Sequence, residues 1–267
     1  MNTETVTRVF APFDSIAEQY DSFFEENIVT KKIRSVVWNS LLNNFKSGYN
    51  ILELNCGTGT DAIMLSEHGI QVTAIDASEK MIQEARRKSQ ANGISSVDFL
   101  KMSSEEIDKL PATNYGGAFS NFGGLNCVNN PGIVIERVSQ LLQPNAPFIV
   151  CLLNKICIWE MLAFLSIGKF SQAFRRFPQD GIEASIGDSL MHTWYYTPKE
   201  FAKILSPWFS IKKIYGLNIF SPNPSSRSFM NKHPRLTQSL LKIDDGICTA
   251  FPFYILGDHF VIEARRK

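Results

Sequence analysis

A short apolar strand runs directly into a glycine-rich turn and then into a helical pattern at ILELNCGTGTDA, residues 51–62. Gly57 and Gly59 remove side chains where a nucleoside must approach the backbone, and the following helix offers free N–H groups there. Asp76 follows Gly59 by seventeen residues, at the end of the next predicted strand. A carboxylate at that edge can accept hydrogen bonds from both hydroxyls of a ribose. The segment therefore predicts an α/β sheet that binds a nucleoside-containing ligand.

The rest of the region from residue 50 to 153 alternates β-branched runs with helical patterns. This alternation predicts parallel strands joined by right-handed crossovers, which is a doubly wound α/β sheet. The predicted strands are Asn50–Asn55, Gln71–Ile75, Val97–Lys101, Gly116–Ser120 and Pro147–Leu153, and the predicted helices cover about 61–68, 78–90 and 131–143. Residues 14–45 are predicted to form two further helices, and Thr197 with Pro198 and Glu200 marks the start of another.

The glycine turn is compatible with two classes of ligand. Gly57 to Ala62 satisfies G-x-G-x-x-A, the dinucleotide fingerprint, so an NAD(P)-dependent oxidoreductase is one alternative. Glu53 lies four residues before Gly57, where a carboxylate would repel a pyrophosphate but would suit an ammonium group. The residues therefore favour an adenosine that carries a cationic amino-acid arm.

Composition and charge limit the kinds of binding partner that are expected for this chain. The chain has 27 Lys and Arg against 26 Asp and Glu, and this balance lacks the basic surplus that nucleic acid binding needs. The five cysteines include no C-x-x-C pair, which argues against a zinc site and a disulfide framework. The most apolar window, 146–168, contains Lys155 and Glu160 near its middle, so it is a poor membrane span. We expect a cytoplasmic protein with no metal, no nucleic acid partner and no stable membrane insertion.

The ordered motifs of the chain resemble those of the class I S-adenosylmethionine-dependent methyltransferases of the small-molecule type. The similar segments are FDSIAEQYDSFF, ILELNCGTGT, VTAIDASEKMIQEAR, DFLKMSSEEIDKLP and GAFSNFGGLNCV, within about residues 10–153. This chain departs from the family's usual residues at Asn55, where Gly is common, and at Ser103, where an acid is common. The resemblance implies a Rossmann-like sheet of seven strands, the last antiparallel, with S-adenosyl-L-methionine as cofactor and S-adenosyl-L-homocysteine as product.

The resemblance also implies which residues hold this cofactor. Asp76 would bind the ribose, Ser103 and Ser104 would face the adenine edge, and Tyr20 would close over the donor. The full implied set is Tyr20, Glu53, Gly57, Gly59, Asp76, Ala77, Met81, Ser103, Ser104 and Asn121.

The implied reaction is in-line displacement at the methyl carbon, and an acceptor with a hydroxyl or an acidic carbon would need a base. The family's last strand is antiparallel, so its first residues lie at the carboxyl ends of the parallel strands. This placement makes His259 a candidate base or substrate contact, and His192 and Tyr195 are further candidates.

The predicted organisation has N-terminal helices over the donor site (1–48), a cofactor-binding core (49–154), a lid insertion (155–196) and a completion of the sheet (197–267) with a second lid insertion at about 221–257. The two insertions are expected to converge over the donor, and they carry much of the excess of 20 Phe. We therefore expect a hydrophobic lid over a small, partly apolar acceptor, as in a biosynthetic enzyme. An apolar helix that serves membrane contact or a homodimer, and a non-catalytic interaction protein, are alternatives.

Overall fold

A computed structural model describes residues 12–22, 27–111, 114–186 and 189–267. Two helices precede the first strand, α1 (residues 12–22) and α2 (Ile28–Asn44). Asn27 caps α2, because its side-chain oxygen accepts hydrogen bonds from the backbone N–H groups of Val29 and Thr30. The prediction of two helices in this part of the sequence is confirmed.

The described strands are β1 (Asn50–Leu54), β2 (Gln71–Asp76), β3 (Val97–Lys101), β4 (Gly117–Ser120), β5 (Pro147–Leu153), β6 (Ile182–Ile186), β7 (Ser189–Thr193), β8 (Phe209–Leu217) and β9 (His259–Arg266). Seven of these strands form one sheet in the order β3-β2-β1-β4-β5-β9-β8, and β6 and β7 form a separate antiparallel hairpin. Strand β9 is antiparallel to both neighbours, β5 and β8, and the other pairs of the sheet are parallel. This is the predicted doubly wound, Rossmann-like sheet with its last strand antiparallel.

Helices cover both faces of the sheet. The remaining helices are α3 (Thr60–Glu67), α4 (Glu79–Ala91), α5 (Pro131–Leu141), α6 (Ile158–Ser166), α7 (Phe170–Ala173), α8 (Pro198–Leu205), α9 (Arg227–Lys232) and α10 (Pro234–Ile247). Apolar residues of α2, α3, α4 and α10 pack on one face of the sheet, and those of α5 and α8 pack on the other. Neighbouring strand residues alternate between the faces, since Ile51 belongs to the first cluster and Leu52 to the second.

Two segments depart from the alternating pattern, as the sequence predicted. The first insertion (residues 155–196) contains α6, α7 and the β6–β7 hairpin, and the second insertion (residues 221–257) contains α9 and α10. The hairpin was not predicted, because its short strands include Glu183 and His192 and lack a long apolar run. None of the helices that the structure describes is both long and apolar enough to cross a bilayer.

Candidate active site

A cavity of about 500 Å³ opens at the carboxyl ends of β1, β2, β4 and β5. Its volume lies within the range of small-molecule sites. Its walls come from α1 (Phe13, Ile16 and Tyr20), the glycine loop, the end of β2, the first insertion and the second insertion. The cavity therefore joins the predicted donor site to both insertions.

The glycine loop and Asp76 form one hydrogen-bonded unit at the floor of the cavity. The Gly57 N–H donates to Asp76 Oδ2 at 2.8 Å, and the Ser78 N–H donates to Asp76 Oδ1 at 2.9 Å. Desolvation in the cavity raises the pKa of Asp76 to about 6, although these backbone hydrogen bonds act in the opposite direction. Gly57 adopts a φ of +54°, and among the described residues the nearest neighbour of an added Cβ is the Tyr20 ring at 3.9 Å. Asp76, Gly57, Tyr20 and Met81 all line the cavity, as expected for donor-binding residues.

Gly59 serves packing and does not line the cavity. A Cβ on Gly59 would lie 2.6 Å from the Phe99 ring and 2.9 Å from Ala85 Cβ, at a φ of +74°. The loop can therefore approach β3 and α4 only with glycine at this position. This corrects the assignment of Gly59 as a cofactor contact.

The segments expected at the adenine edge use their side chains within the protein. Ser103 caps the short helix Ser104–Lys109 in a capping box with Glu106, and the Ser104 hydroxyl donates to Asn55 Oδ1 at 3.1 Å. Ser103, Ser104 and Ala77 are not among the residues that line the cavity, and their assignment as cofactor contacts stays a prediction. Asn55 has a φ of +58°, a conformation that asparagine tolerates better than most residues, and this explains how it replaces the family's usual glycine.

Helix α1 is fixed over the glycine loop by two carboxylates. Asp21 accepts hydrogen bonds from the Thr58 hydroxyl at 2.6 Å and from Lys88 Nζ at 2.5 Å. Asp14 accepts a hydrogen bond from the Ser78 hydroxyl at 2.5 Å. These contacts hold Tyr20 at the cavity wall, where the resemblance placed it.

Glu53 lies behind the cavity rather than in its wall. Only 2% of the residue is exposed, and its Oε2 atom is buried with no hydrogen-bond partner among the described residues. Burial and the nearby Asp61 carboxylate raise the pKa of Glu53 well above its usual range, which favours the neutral carboxyl. Glu53 is not among the residues that line the cavity, in contrast to the expectation of a carboxylate beside the methionine arm.

Asp61 and Arg34 occupy the cavity wall instead, and the sequence analysis did not select either residue. Asp61 Oδ1 accepts from Arg34 Nη1 and from Trp38 Nε1, both at 2.7 Å. Asn121, which was selected, donates from Nδ2 to Asp61 Oδ2 at 2.7 Å. The Arg34 guanidinium also lies 4.8 Å from the centre of the Phe122 ring. The sequence did offer a signal for Asp61, which is an acid in the first turn of the helix after the glycine loop. It offered none for Arg34, which lies on the distant helix α2.

His259 lies at the carboxyl ends of the parallel strands, as its position in the last strand predicted. It pairs with Leu153, the last residue of β5, and lines the cavity. Its Nδ1 atom lies 3.0 Å from Asp258 Oδ2, but the two groups are not aligned for a hydrogen bond. The Phe122 ring meets the His259 ring edge-on, with 6.2 Å between the ring centres.

A buried ion-pair network from the first insertion supports Asp258. Arg176 Nη2 donates to Asp258 Oδ1 at 2.7 Å and also to Glu160 Oε2 at 2.7 Å. Arg175 donates to both oxygens of Glu160, at 2.8 and 2.9 Å. Burial alone would raise the pKa of Asp258, but the Arg176 guanidinium and His259 hold it well below the usual range. Asp258 therefore remains a carboxylate beside the histidine ring.

The other two candidate residues of the first insertion differ in position. Tyr195 is buried and lines the cavity, with the Arg176 guanidinium 5.0 Å from the centre of its ring. His192 does not line the cavity, and both of its ring nitrogens are engaged, Nδ1 with Glu183 Oε1 at 2.7 Å and Nε2 with the Asp180 carbonyl at 2.6 Å. This corrects the proposal of His192 as a base, since neither nitrogen is available to an acceptor.

Apart from Tyr195, the aromatic side chains of the insertions are not among the residues that line the cavity. The ten that the sequence suggested for a hydrophobic lid, none of which lines the cavity, are Trp159, Phe164, Phe170, Phe174, Phe177, Phe220, Phe229, Phe251, Phe253 and Tyr254. The insertions instead present charged and polar groups, among them Arg175, Thr193 and Asn223. The apolar part of the wall comes mainly from α1, Phe122 and Leu153.

Comparison with known proteins places this site in a family. Residues 51–145 match the sequence model of a methyltransferase domain. The S-adenosyl-L-methionine-dependent Diels-Alderase iccD of Talaromyces variabilis is 33% identical over 76 residues, which cover 28% of this chain and 26% of that protein. Glycine N-methyltransferase of Rattus norvegicus is 37% identical over 82 residues, which cover 31% of this chain and 28% of that protein. The chain thus aligns with little more than a quarter of each of these relatives.

The fold comparison extends over the whole chain. Magnesium protoporphyrin IX methyltransferase from Synechocystis, solved with bound S-adenosyl-L-homocysteine, superposes with a TM-score of 0.59 at 18% identity and covers 98% of this chain and 99% of that one. Residues 51–145 therefore form a methyltransferase domain, and the chain as a whole has the fold of the class I S-adenosyl-L-methionine-dependent methyltransferases. Its cofactor is S-adenosyl-L-methionine, and the open backbone at Gly57 beside the Asp76 carboxylate fits that nucleoside. The match to a methyltransferase domain favours this cofactor over the NAD(P) of an oxidoreductase.

Proposed function

We propose that this chain transfers a methyl group to an oxygen, nitrogen or carbon atom of a small, partly apolar molecule whose reacting group carries an acidic proton. The observation that carries the proposal is that one cavity is lined both by Gly57 and Asp76 and by His259 and Tyr195. Such a cavity brings a donor and an acceptor together in one enclosed space, and alignment with exclusion of water is the main requirement of this reaction.

The donor end uses residues from three elements. Asp76 holds the ribose hydroxyls, Tyr20 covers the donor, and Met81 contributes an apolar contact. Arg34 suits the carboxylate of the methionine arm, because its guanidinium lies at the cavity wall beside Asn121 and Asp61. When bound, S-adenosyl-L-methionine supplies an electrophilic methyl group on a positively charged sulfur.

The acceptor end supplies a base. Asp258 faces Nδ1 of His259, which leaves Nε2 as the ring nitrogen for an acceptor. Nε2 would remove the acceptor's proton, and the electron pair left on the acceptor would take up the methyl group that the donor supplies, with S-adenosyl-L-homocysteine as the product. The Asp258 carboxylate then stabilises the imidazolium that results. Tyr195 lies at the wall as a contact for the acceptor.

The size and the surroundings of the cavity support a small acceptor. The two insertions and α1 contribute to its walls, and its volume of about 500 Å³ must accommodate donor and acceptor together. The net charge of +1 gives the chain no general excess of cations for a nucleic acid substrate. The mixture of aliphatic, aromatic and hydroxyl groups in the wall fits an acceptor that is only partly apolar.

Binding and transfer need separate experiments. Isothermal titration with S-adenosyl-L-homocysteine tests the donor end, with NAD as the control ligand and Asp76→Asn as the variant. Transfer of labelled methyl groups from S-adenosyl-L-methionine to a panel of phenols, carboxylic acids and amines tests the acceptor end. Loss of transfer in His259→Gln, with transfer retained in His68→Gln at the exposed end of α3, is the expected result. Equal transfer by both variants would remove His259 from the proposal.

A second candidate function is a ring-forming reaction that uses the bound donor without consuming it. It is favoured by the similarity to a protein named as an S-adenosyl-L-methionine-dependent Diels-Alderase. The same assay separates the two functions, since methyl transfer releases one S-adenosyl-L-homocysteine per product and a cyclisation releases none.

A further inference from the structure

Two buried side chains in the cavity wall hold hydrogen-bonding groups that no described residue contacts. Tyr195 of the first insertion is 6% exposed, Asn223 of the second insertion is 8% exposed, and both line the cavity. Within the described part of the chain, neither the Tyr195 hydroxyl nor the Asn223 amide nitrogen has a hydrogen-bond partner. Neither atom is enclosed on all sides by protein. Because the rest of each side chain is buried, these two polar groups face the cavity.

The orientation of the Asn223 amide follows from two consecutive hydrogen bonds. Trp159 Nε1 donates to the Ser226 hydroxyl at 3.0 Å, and that hydroxyl donates to Asn223 Oδ1 at 2.7 Å. An indole nitrogen can only donate, so the proton of the Ser226 hydroxyl is available for Asn223. The amide oxygen of Asn223 is therefore occupied by Ser226, and its NH₂ group is the part left for a ligand.

The Tyr195 hydroxyl belongs to the same surroundings as the candidate base. The Arg176 guanidinium lies 5.0 Å from the centre of the Tyr195 ring and donates to Asp258, which in turn lies 3.0 Å from Nδ1 of His259. Burial raises the pKa of Tyr195, so its hydroxyl keeps its proton at neutral pH. Tyr195 and Asn223 therefore both offer hydrogen-bond donors to a molecule that reaches His259.

The charges of the wall disfavour a charged group at these donors. The described part of the wall holds three arginines and four carboxylates, which leaves one negative charge when His259 is neutral, as a base must be. Bound S-adenosyl-L-methionine carries one net positive charge and balances it. A further charge on the methyl acceptor would be buried without a counterion. The charged wall residues are Arg34, Arg175, Arg176, Asp61, Asp76, Glu160 and Asp258.

We propose that the Tyr195 hydroxyl and the Asn223 amide bind a neutral carbonyl oxygen of the methyl acceptor, so that the substrate is a ketone, ester or amide which also bears the reacting group. A carbonyl oxygen has two lone pairs and can accept from both donors. An alkyl group in its place would leave two buried donors unpaired. A carbonyl group in conjugation with the reacting atom also makes the proton on that atom more acidic. This assignment names the acceptor class of the proposed function and rests on it.

Three matched phenols test the assignment by binding alone. The full chain, saturated with S-adenosyl-L-homocysteine, is titrated with para-hydroxyacetophenone, para-ethylphenol and para-hydroxybenzoate, and with the same three compounds in the meta series. These probes share the phenol and differ in carrying a neutral carbonyl, an alkyl group or a carboxylate. In at least one series the ketone is expected to bind about tenfold more tightly than the other two. Equal or weaker binding of the ketone in both series, or no binding by any probe, would overturn the proposal.

Two pairs of variants locate the preference. Asn223→Asp keeps the oxygen that Ser226 contacts and replaces the NH₂ group by an acceptor, and its control is Asn231→Asp at an exposed position of α9. Tyr195→Phe removes only the hydroxyl, and its control is Tyr196→Phe, whose ring packs on Phe201 outside the cavity wall.

Asn223→Asp and Tyr195→Phe are each expected to bind hydroxyacetophenone about tenfold more weakly and S-adenosyl-L-homocysteine as tightly as the wild type. Both controls should leave the two affinities unchanged. Retained affinity for the nucleoside shows that a variant is folded. Unchanged binding of the ketone in both variants, or an equal decrease in affinity for the nucleoside, would contradict the assignment.

The outcome is separable from that of the transfer assay. Selective binding of the ketone without transfer of labelled methyl groups would leave the carbonyl site in place and remove the proposed methyl transfer. Transfer to phenols with no preference for the ketone would remove the carbonyl site alone.

Discussion

Arg176 Nη2 lies 2.7 Å from Asp258 Oδ1, so a side chain of the first insertion holds the carboxylate next to His259. Arg176 and Asp258 are both buried, and Glu160 completes the pairing. Buried ion pairs contribute little net stability, because desolvation offsets the attraction. The network is therefore better explained by the need to orient Asp258 and His259 than by stability.

Substitution of Arg176 is expected to lower the free energy of unfolding more than substitution of its neighbour Arg175. Arg176→Met leaves Asp258 as an unpaired buried charge, which should lower the free energy of unfolding by about 3 kcal/mol. Arg175→Met is the matched control, because its side chain is 36% exposed and Glu160 keeps its contact with Arg176. Urea unfolding measures both variants. Equal losses of stability would contradict the role of Arg176 as the residue that holds Asp258.

The affinity for S-adenosyl-L-homocysteine is expected to depend on pH through Asp76. The pKa of this carboxyl is about 6 in the empty cavity, and ribose hydroxyls donate to its ionised form. Binding should therefore weaken about tenfold for each pH unit below 6 and become constant above 7. Titration calorimetry from pH 5 to pH 8, a range set by that pKa, measures the effect. Asp76→Asn should remove this dependence and bind about tenfold or more weakly at neutral pH.

The same pKa has a consequence for stability. Because the pKa of Asp76 in the folded protein lies above the ordinary value of 3.8, the folded state binds the proton more tightly than the unfolded chain. The empty protein should therefore lose stability as the pH rises from about 4 to about 6. Unfolding in urea over this range should show the loss in the wild type and a smaller loss in Asp76→Asn. A wild-type stability that rises through this range faster than in the variant would contradict the assignment.

The two glycines of the loop are expected to respond differently to alanine. Both have a positive φ, so each substitution strains the backbone by about 1 kcal/mol. Gly59→Ala in addition places its Cβ 2.6 Å from the Phe99 ring, and it should lose about 1–3 kcal/mol more through overpacking. Gly57→Ala meets only the Tyr20 ring at 3.9 Å, and should fold but bind S-adenosyl-L-homocysteine more weakly. Thermal unfolding and calorimetry of the two variants measure these outcomes.

Variants of His259 and His192 test which histidine acts as the general base. With an acceptor from the panel, His259→Gln should reduce kcat by about 10²–10⁴. His192→Gln should leave kcat unchanged, because that ring binds Glu183 and the Asp180 carbonyl outside the cavity. A larger effect at His192 than at His259 would reverse the assignment.

The core of the fold could be predicted from the sequence because its signals are local. The strand, glycine turn and helix around Gly57 form one continuous segment, and Thr197 with Glu200 forms the predicted capping box. The position of His259 followed from the antiparallel last strand that the family resemblance implied. These features depend either on residues close together in the sequence or on the strand order of that family.

The wall of the cavity could not be predicted in the same way. Arg34, Arg176 and Asp258 reach the cavity from three distant segments, and no local pattern links them. Glu53 was assigned from its charge, whereas its burial raises the pKa of the carboxyl and removes it from the cavity wall. The excess of phenylalanine suggested an aromatic pocket, but composition does not distinguish residues that face a cavity from those such as Phe170 that face solvent.

The contacts of Asp14 and Asp21 attach α1 to the glycine loop and to the start of α4. If the donor binds beneath Tyr20 as proposed, the nucleoside adds a further contact between α1 and the loop. Susceptibility of α1 to protease should accordingly decrease when the nucleoside is bound.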